Sequence, residues 1–426
     1  MSRDIVMEMG IYVFVILFLF LMFSFITFIL SLFIKKKYSA YEPNVSIIVP
    51  CLNEEKNIAK CLNAIFSLYY PKKKMEVIVI DDGSTDSTIE ILEQFKKKYK
   101  KLRLFRYKGK KNESEKWHKP YVLNFGAKKA SHDIILTVDA DTFIDTNSLK
   151  RIVVPLQNED VGATNGCCLV ENKGGFLGIF QNIEYFQHNL ARRSFSNLFG
   201  NVVWFFGAFA CYKKSVIKKI GYFRGGMMGE DMNTLLSIYR SGYKIKNVHN
   251  AFVYTTVPET IRGFFKQRVR WWTAALDSLK RNKSLFSVKS NPSMLYLFFN
   301  HYWWTFYSLI SLPLFIYQIV YWLPYNSQNF ISVFMYFLRW ISLLGPIYVI
   351  YKIPAFGVSL YNIFGVISGI ISVFLMLSAI FLFKGKFNLK TMAAVFFYFP
   401  YTIVLNIIIV LSILRNNSWK NSFFIR

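Results

Sequence analysis

Acidic side chains are scarce in this chain. It carries 25 Asp and Glu against 52 Lys and Arg, a formal net charge of +27 over 426 residues. Such a surplus can signal nucleic-acid binding. Here much of it is gathered in KKKYKKLRLFRYKGKK (96–111) and beside long apolar runs. That placement suits attraction to anionic headgroups on a cytosolic leaflet, and no nucleic-acid partner is expected. Cysteine is sparse too: Cys51, Cys61, Cys167, Cys168 and Cys211. Their spacing matches no usual zinc pattern, and an odd count suits reduced cytosolic thiols. They are expected as small buried apolar residues. Charge is absent altogether from IYVFVILFLFLMFSFITFILSLFI (11–34), a run long enough to cross about 30 Å of hydrocarbon. A cleavable signal peptide would have a shorter apolar part, about 7–15 residues, and a small-residue cleavage site. This run is longer and is followed by Lys35, Lys36 and Lys37, so it reads as a retained anchor. Repeats and paired broken helices of the transporter type are not evident, which disfavours a transporter or receptor.

Aromatic and apolar residues are plentiful, with 43 Phe and an aromatic fraction of 18%. Beyond residue 290 they form four further candidate spans: Tyr296–Leu323, Phe330–Tyr351, Gly357–Phe383 and Met392–Leu414. Arg339 inside the second leaves an interfacial or re-entrant segment open there. Three regions are expected. Residues 1–38 are an anchor, 39–290 a cytosolic domain, and 291–426 a set of transmembrane helices with a short cytosolic tail. The positive-inside rule places the central domain in the cytosol of a multi-pass protein of the cell membrane. The lysines of KGKFNLK (384–390) would face outward in a five-span arrangement, against that rule.

The central domain alternates strands and helices. VSIIVPCLNEE (45–55), MEVIVIDDGSTDSTIEILEQF (75–95) and HDIILTVDADTF (132–143) each read as a buried strand running into a polar turn. Continuous apolar strands with helical crossovers predict a parallel, doubly covered α/β sheet. Ligands of such sheets bind beyond the carboxyl ends of the strands, where Asp81, Asp82, Asp139 and Asp141 fall. Asp86, with Ser84 and Thr85, is placed to cap the next helix. On an extended segment, Asp139 and Asp141 would point the same way. Two close carboxylates repel and favour a cation beside them. Mg2+ and Mn2+ suit this, binding through one or two carboxylates plus substrate phosphates. GED (229–231) opens an amphipathic segment, and Asp231 is its candidate general base. FFKQRVRWWTAAL (264–276) joins arginines that neutralise phosphate to indoles that stack on sugars. It also fits a basic aromatic helix lying on headgroups.

Taken in order, Asp81/Asp82, Asp139-Ala140-Asp141, Gly229-Glu230-Asp231 and Gln267-Arg268-Val269-Arg270-Trp271 resemble the motifs of the membrane-bound processive family-2 glycosyltransferases. That group includes the cellulose, chitin, hyaluronan and poly-N-acetylglucosamine synthases. The likeness covers roughly residues 44–275. It implies a GT-A fold (Rossmann-like, a nucleotide-diphospho-sugar transferase) joined to transmembrane α-helices. It implies a UDP-sugar donor with Mg2+ or Mn2+ held by Asp139 and Asp141. Asp81, Asp82, Lys119, Asp139, Gln267, Arg268 and Arg270 would face the donor. Trp271, Glu230 and Gly207, the last within FFGAF (205–209), would face the acceptor. Asp231 would be the base and Arg270 would act on the leaving group. The expected product is a β-linked polysaccharide of hexose or N-acetylhexosamine, made by inversion and coupled to export. The alternative is a single transfer to a lipid-phosphate carrier or glycolipid. Expected partners are the nucleotide sugar, a glycan or lipid-linked acceptor and membrane lipids, with room for an accessory export subunit. Val122 and Trp272 depart from the family pattern.

Overall fold

The computed structural model describes residues 3–34, 39–109, 118–172, 175–224, 229–321, 329–358 and 360–416. Lys35, Lys36, Lys37, the end of the basic run at 110–111, and the tail from 417 onward lie outside them. A long apolar helix, α1 (Arg3–Leu32), precedes the sheet domain. The domain then runs β1 (Val45–Cys51), α2 (Ile58–Phe66), β2 (Met75–Asp81), α3 (Thr88–Lys98), β3 (Leu102–Arg106), α4 (Lys119–Lys129), β4 (Ile134–Val138) and β5 (Thr142–Ile144). It continues through α5 (Ser148–Ile152), β6 (Val161–Val170), α6 (Phe176–Phe199), β7 (Phe209–Lys213), α7 (Lys214–Lys219), α8 (Glu230–Arg240), β8 (Lys244–Thr255) and α9 (Ile261–Arg281). Among the described residues, six apolar helices follow: α10 (Pro292–Tyr321), α11 (Phe330–Ile341), α12 (Leu344–Phe356), α13 (Leu360–Leu382), α14 (Leu389–Phe396) and α15 (Tyr398–Asn416).

The eight strands form one sheet in the order β3-β2-β1-β4-β7-β6-β8-β5. The expected all-parallel sheet is corrected to a mixed one. β3, β2, β1 and β4 are mutually parallel, but β7 runs antiparallel to both β4 and β6. Beyond it β6 and β8 are parallel again, and the short β5 pairs antiparallel with β8 at the edge. The β1–β4 ladder ends at Ile48 opposite Thr137. Pro50 follows two residues later, where its missing N–H costs no bond towards β4. The two strands therefore part at their carboxyl ends and leave a crevice between β1 and β4.

Both sheet faces are dry. Val45, Ile47 and Val49 pack on one side, and Ile48, Ile78 and Ile80 on the other. Each such side chain contributes about 1.5–3 kcal/mol when buried. All five cysteines are buried and free, as expected of small apolar residues. Val122 is buried on α4 in the second core, so that departure from the family pattern is a packing residue.

A third apolar cluster joins the domain to the outer helices through Phe180, Ile183 and Phe186 of α6, Phe264 of α9, and Ile380, Phe383 and Val395. α13 runs beside α1 in the same direction: Phe18 meets Phe364 at 4.7 Å between ring centroids and Phe25 meets Phe374 at 5.7 Å. A Cβ on Gly385, just past α13, would lie 2.8 Å from the Phe186 ring. Among the described residues, Ile11–Leu32 and Ile363–Leu382 are long and apolar enough to cross a membrane, with up to four spans if each bent pair is counted as one. Phe330–Tyr351 is such a pair, α11 and α12 bent by 116°, and α14 and α15 bend by 58°. The expected span from Tyr296 corresponds to α10, whose last expected residue, Leu323, lies outside the described residues.

Candidate active site

Four segments bring the acidic residues to one end of the crevice. Asp81 is the last residue of β2, and its carboxylate accepts from the backbone N–H of Gly83 at 3.2 Å and of Ser84 at 3.1 Å. It holds its own turn. Asp82 is buried next to it and donates its backbone N–H to Cys51 O at 2.9 Å. The N-cap of α3 is Ser87, which makes no side-chain cap bond, rather than a residue of the expected 84–86; Asp86, one residue earlier, accepts from the Thr88 backbone N–H at 3.0 Å. The β1 and β2 loops are tied together, Thr85 N–H donating to Asn53 Oδ1 at 2.8 Å and Glu54 N–H to Thr88 Oγ1 at 2.8 Å.

Asp139 and Asp141 do not converge through strand alternation. β4 stops at Val138, and Thr142 N–H donates to Asp139 O at 2.9 Å. The pair sits at the first and third positions of a tight turn, with Ala140 tucked into the core. Asp139 is gripped by Lys119 at 2.7 and 2.8 Å. Lys119, the first residue of α4, also reaches Glu230 Oε1 at 3.2 Å. Burial draws the lysine down, but Asp139 and Glu230 more than reverse it, so its ammonium is held firmly charged. Burial first, then Asp139 and Glu54, push Asp141 up to about 7. Glu54 is a rim carboxylate that the sequence reading passed over; its signal was the acidic pair closing the strand-turn segment VSIIVPCLNEE.

No group of three or more His, Cys, Asp or Glu able to hold a metal occurs among the described residues. The two-carboxylate set nonetheless fits a hard divalent cation. Asp141 carries a raised carboxyl that such an ion would relieve, and the ion's other oxygens would come from a diphosphate.

Asp231 lies in the first turn of α8. Gly229 before it has φ +78°, and a Cβ there would lie 2.9 Å from Ala274 of α9, so glycine is needed for both backbone and packing. Burial first, then Glu230, push Asp231 up to about 6, in the range useful for a general base near neutrality. Its Oδ1 accepts from Met232 N–H at 2.7 Å. Gly207 is pressed against it: a Cβ on Gly207 would meet Asp231 Cβ at 2.7 Å. The loop carrying Gly207 is strapped to the strand that ends at Asp139. Thr137 Oγ1 donates to Gly207 O at 3.2 Å and Asp139 N–H to Ala208 O at 3.3 Å.

α9 opens with Thr260 accepting from Gly263 N–H at 3.1 Å. Its motif residues separate by face. Arg270 is exposed and Trp271 is 37% exposed, with the Trp271 ring 6.5 Å from Tyr185 of α6. Trp272 turns the other way and donates its Nε1–H to Thr305 of α10 at 3.3 Å. Arg268, expected at the donor, is a correction. It is buried and paired with Glu184 of α6 at 2.7 Å, because it falls on the face of α9 that meets α6. It also donates to Gln267 Oε1 at 2.6 Å.

Comparisons with known proteins bear on the family and the fold. A family model described as "Glycosyl transferase family 2" matches residues 46–221, and one described as "Glycosyl transferase family group 2" matches 134–412. The chain is 34% identical over 255 residues to the poly-beta-1,6-N-acetyl-D-glucosamine synthase of Staphylococcus epidermidis strain RP62A, covering 59% of each protein. It is 31% identical over 258 residues to that of Staphylococcus aureus strain COL, covering 60% of each. The match thus spans about three-fifths of the length of these relatives. A mannosyltransferase from Pyrobaculum calidifontis, solved with GDP-Man and Mn2+, shares the fold. Its TM-score is 0.62 at 18% identity, covering 97% of this chain and 99% of that one. The chain belongs to the family 2 glycosyl transferases, with a GT-A fold.

Proposed function

We propose that the protein is an inverting transferase that takes an N-acetylhexosamine, with N-acetylglucosamine first, from a UDP-sugar. It adds the sugar to a growing β-linked polysaccharide at the cell membrane. The observation that carries this reading is the meeting of Asp139 and Asp141 with Lys119, Glu230 and Asp231 beside α9. The relatives named as poly-N-acetylglucosamine synthases support the choice of sugar.

In this reading Asp82 binds the base or ribose, since Asp81 already serves its turn. Asp139 and Asp141 would hold Mg2+ or Mn2+, which supplies positive charge for the diphosphate. Lys119 keeps Asp139 aimed and charged. Gln267 and Arg270, one helical turn apart, cover the diphosphate. Asp231 takes the proton from an acceptor hydroxyl as that oxygen attacks the anomeric carbon. The bond to the diphosphate breaks on the opposite side, so the configuration inverts. No protein acid is needed, because the leaving group departs as an anion already neutralised. Trp271 offers its exposed ring to the acceptor sugar.

We further propose the division into an anchor (1–38), a cytosolic transferase domain (39–290) and membrane helices (291–426). The parallel course of α13 and α1 supports placing Lys384, Lys386 and Lys390 on the side of the sheet domain. The loop that conflicted with the positive-inside rule then obeys it. The test is turnover of the purified full chain against a panel of UDP-sugars with Mn2+, with products sized on a gel and no lipid acceptor added. Long products from UDP-N-acetylglucosamine are expected. Single addition to a lipid phosphate, or no sugar transfer, would overturn the reading.

A further inference from the structure

Arg268 is the charged side chain of the Gln267–Trp271 segment that the proposed chemistry does not use, and it has several partners. One end of its guanidinium meets Glu184 Oε2 at 2.7 Å. The other donates to Gln267 Oε1 at 2.6 Å. Its centre stands 4.3 Å from the Trp271 ring centroid and 4.9 Å from that of Phe264. Glu184 also accepts from the Tyr401 hydroxyl of α15. Glu184, Arg268 and Tyr401 are all buried. A single guanidinium therefore holds the amide of Gln267 and stacks on the indole of Trp271, and both anchors behind it come from outside α9. A planar fork is suited to this, since its donors and its face act together.

We infer that Glu184 and Tyr401 are positioning residues which, through Arg268, set Gln267 and Trp271 over the cleft. The seating of α15 thereby governs where the acceptor sugar lies. The inference rests on the transferase reading for the meaning of Trp271, and extends it to two residues that touch neither donor nor acceptor. Tyr401 ties the helix bundle to the motif, so a shift of α15 against α6 would be felt at Trp271. Misplacement of about 1 Å can cost on the order of 10²-fold in rate.

The test uses the full chain in lipid nanodiscs. Glu184→Gln weakens the hold on Arg268, and Tyr401→Phe removes a single hydroxyl. Tyr296→Phe, whose hydroxyl lies 3.0 Å from Ser24, is the control for loss of a buried hydroxyl elsewhere. Four quantities are read: sugar transferred per donor hydrolysed, donor KM, melting temperature, and acrylamide quenching of Trp271. The last is the difference between each chain and the same chain carrying Trp271→Phe. The two variants are expected to lower the transfer-to-hydrolysis ratio by about 10–100-fold, to leave donor KM unchanged and to expose Trp271 to quencher. Tyr296→Phe should change none of these. An unchanged ratio and quenching would overturn the inference, as would losses that only follow a drop in melting temperature. If Glu184→Gln fails to fold, Tyr401→Phe decides. If the parent chain transfers no sugar at all, the transferase reading fails, and Trp271 quenching still judges the positioning network.

Discussion

On the strand-end side of the cleft, Asp139 and Glu230 share Lys119, with Asp141, Glu54 and Asp231 close behind. On the helix side, Glu184 has Arg268 at 2.7 Å and the Tyr401 hydroxyl as well. Burial acts on both sides alike, favouring the neutral acid. The outcomes are opposite. Asp141 and Asp231 are pushed up, whereas at Glu184 burial is outweighed by Arg268, His188 and the Tyr401 hydroxyl together, which hold its carboxyl low. An excess of buried negative charge leaves work for a cation and for a proton, and so belongs to chemistry. A matched buried pair fixes geometry, and breaking one by removing a partner typically costs about 3–5 kcal/mol.

The contrast can be broken most sharply at Asp141. Asp141→Asn removes the raised carboxylate and should abolish Mn2+-dependent turnover while the chain stays folded and membrane-inserted. Retained activity in EDTA would refute its role. In the parent chain a proton competes with the cation at a carboxyl near 7. Below that pH the acid form prevails, so Mn2+ affinity should fall as pH drops through about 7 and level off above it. A Mn2+ titration across this range reads the effect.

Asp231→Asn comes next, with a loss of about 10²–10⁴ in turnover and nearly normal UDP binding. An equally steep fall in nucleotide affinity would make Asp231 a donor ligand instead. As the proposed base, Asp231 must be deprotonated, so kcat should fall as pH drops below about 6, and Asp231→Asn should lose that limb of the profile.

Gly207→Ala tests the fit between loop and base. The added methyl would meet Asp231 Cβ at 2.7 Å. With the carbonyls of Gly207 and Ala208 bonded to Thr137 and Asp139, Asp231 must move, at a cost on the order of 10²-fold in turnover with UDP affinity unchanged. Unimpaired turnover would show that Asp231 has slack.

The smallest effect on rate, and the clearest on product, separates Trp271 from Trp272. Trp271→Ala should shorten products or uncouple donor hydrolysis from growth. Trp272→Ala, losing its bond to Thr305, should leave product length alone. Equal product lengths from the two variants would remove Trp271 from the acceptor.

The amino-acid sequence by itself determined the α/β plan, the long apolar runs beside it and the candidate site residues. Strand-then-acid patterns such as MEVIVIDD and IILTVDAD are local: apolar runs must be buried, and the carboxylates that end them must find water, a cation or backbone N–H donors, as Asp81 does in its turn. The ordered motifs named the family for the same reason, since chemistry restricts residue type at each step. Tertiary structure alone decided how those residues divide the labour. That Gly207 yields space to Asp231 and that Asn53 ties the β1 loop to Thr85, 32 residues away, depend on distant segments meeting; the turns at Asp81 and at Asp139–Thr142 are local, but residue type alone did not separate them from strand ends. Arg268 shows it most plainly. The motif singles out Arg270 by its place before Trp271 but not where Arg268 turns, and two positions along a helix rotate a side chain by about 200°. Only the packing of α9 against α6 and α15 turned Arg268 inward to Glu184 and left Arg270 at the surface.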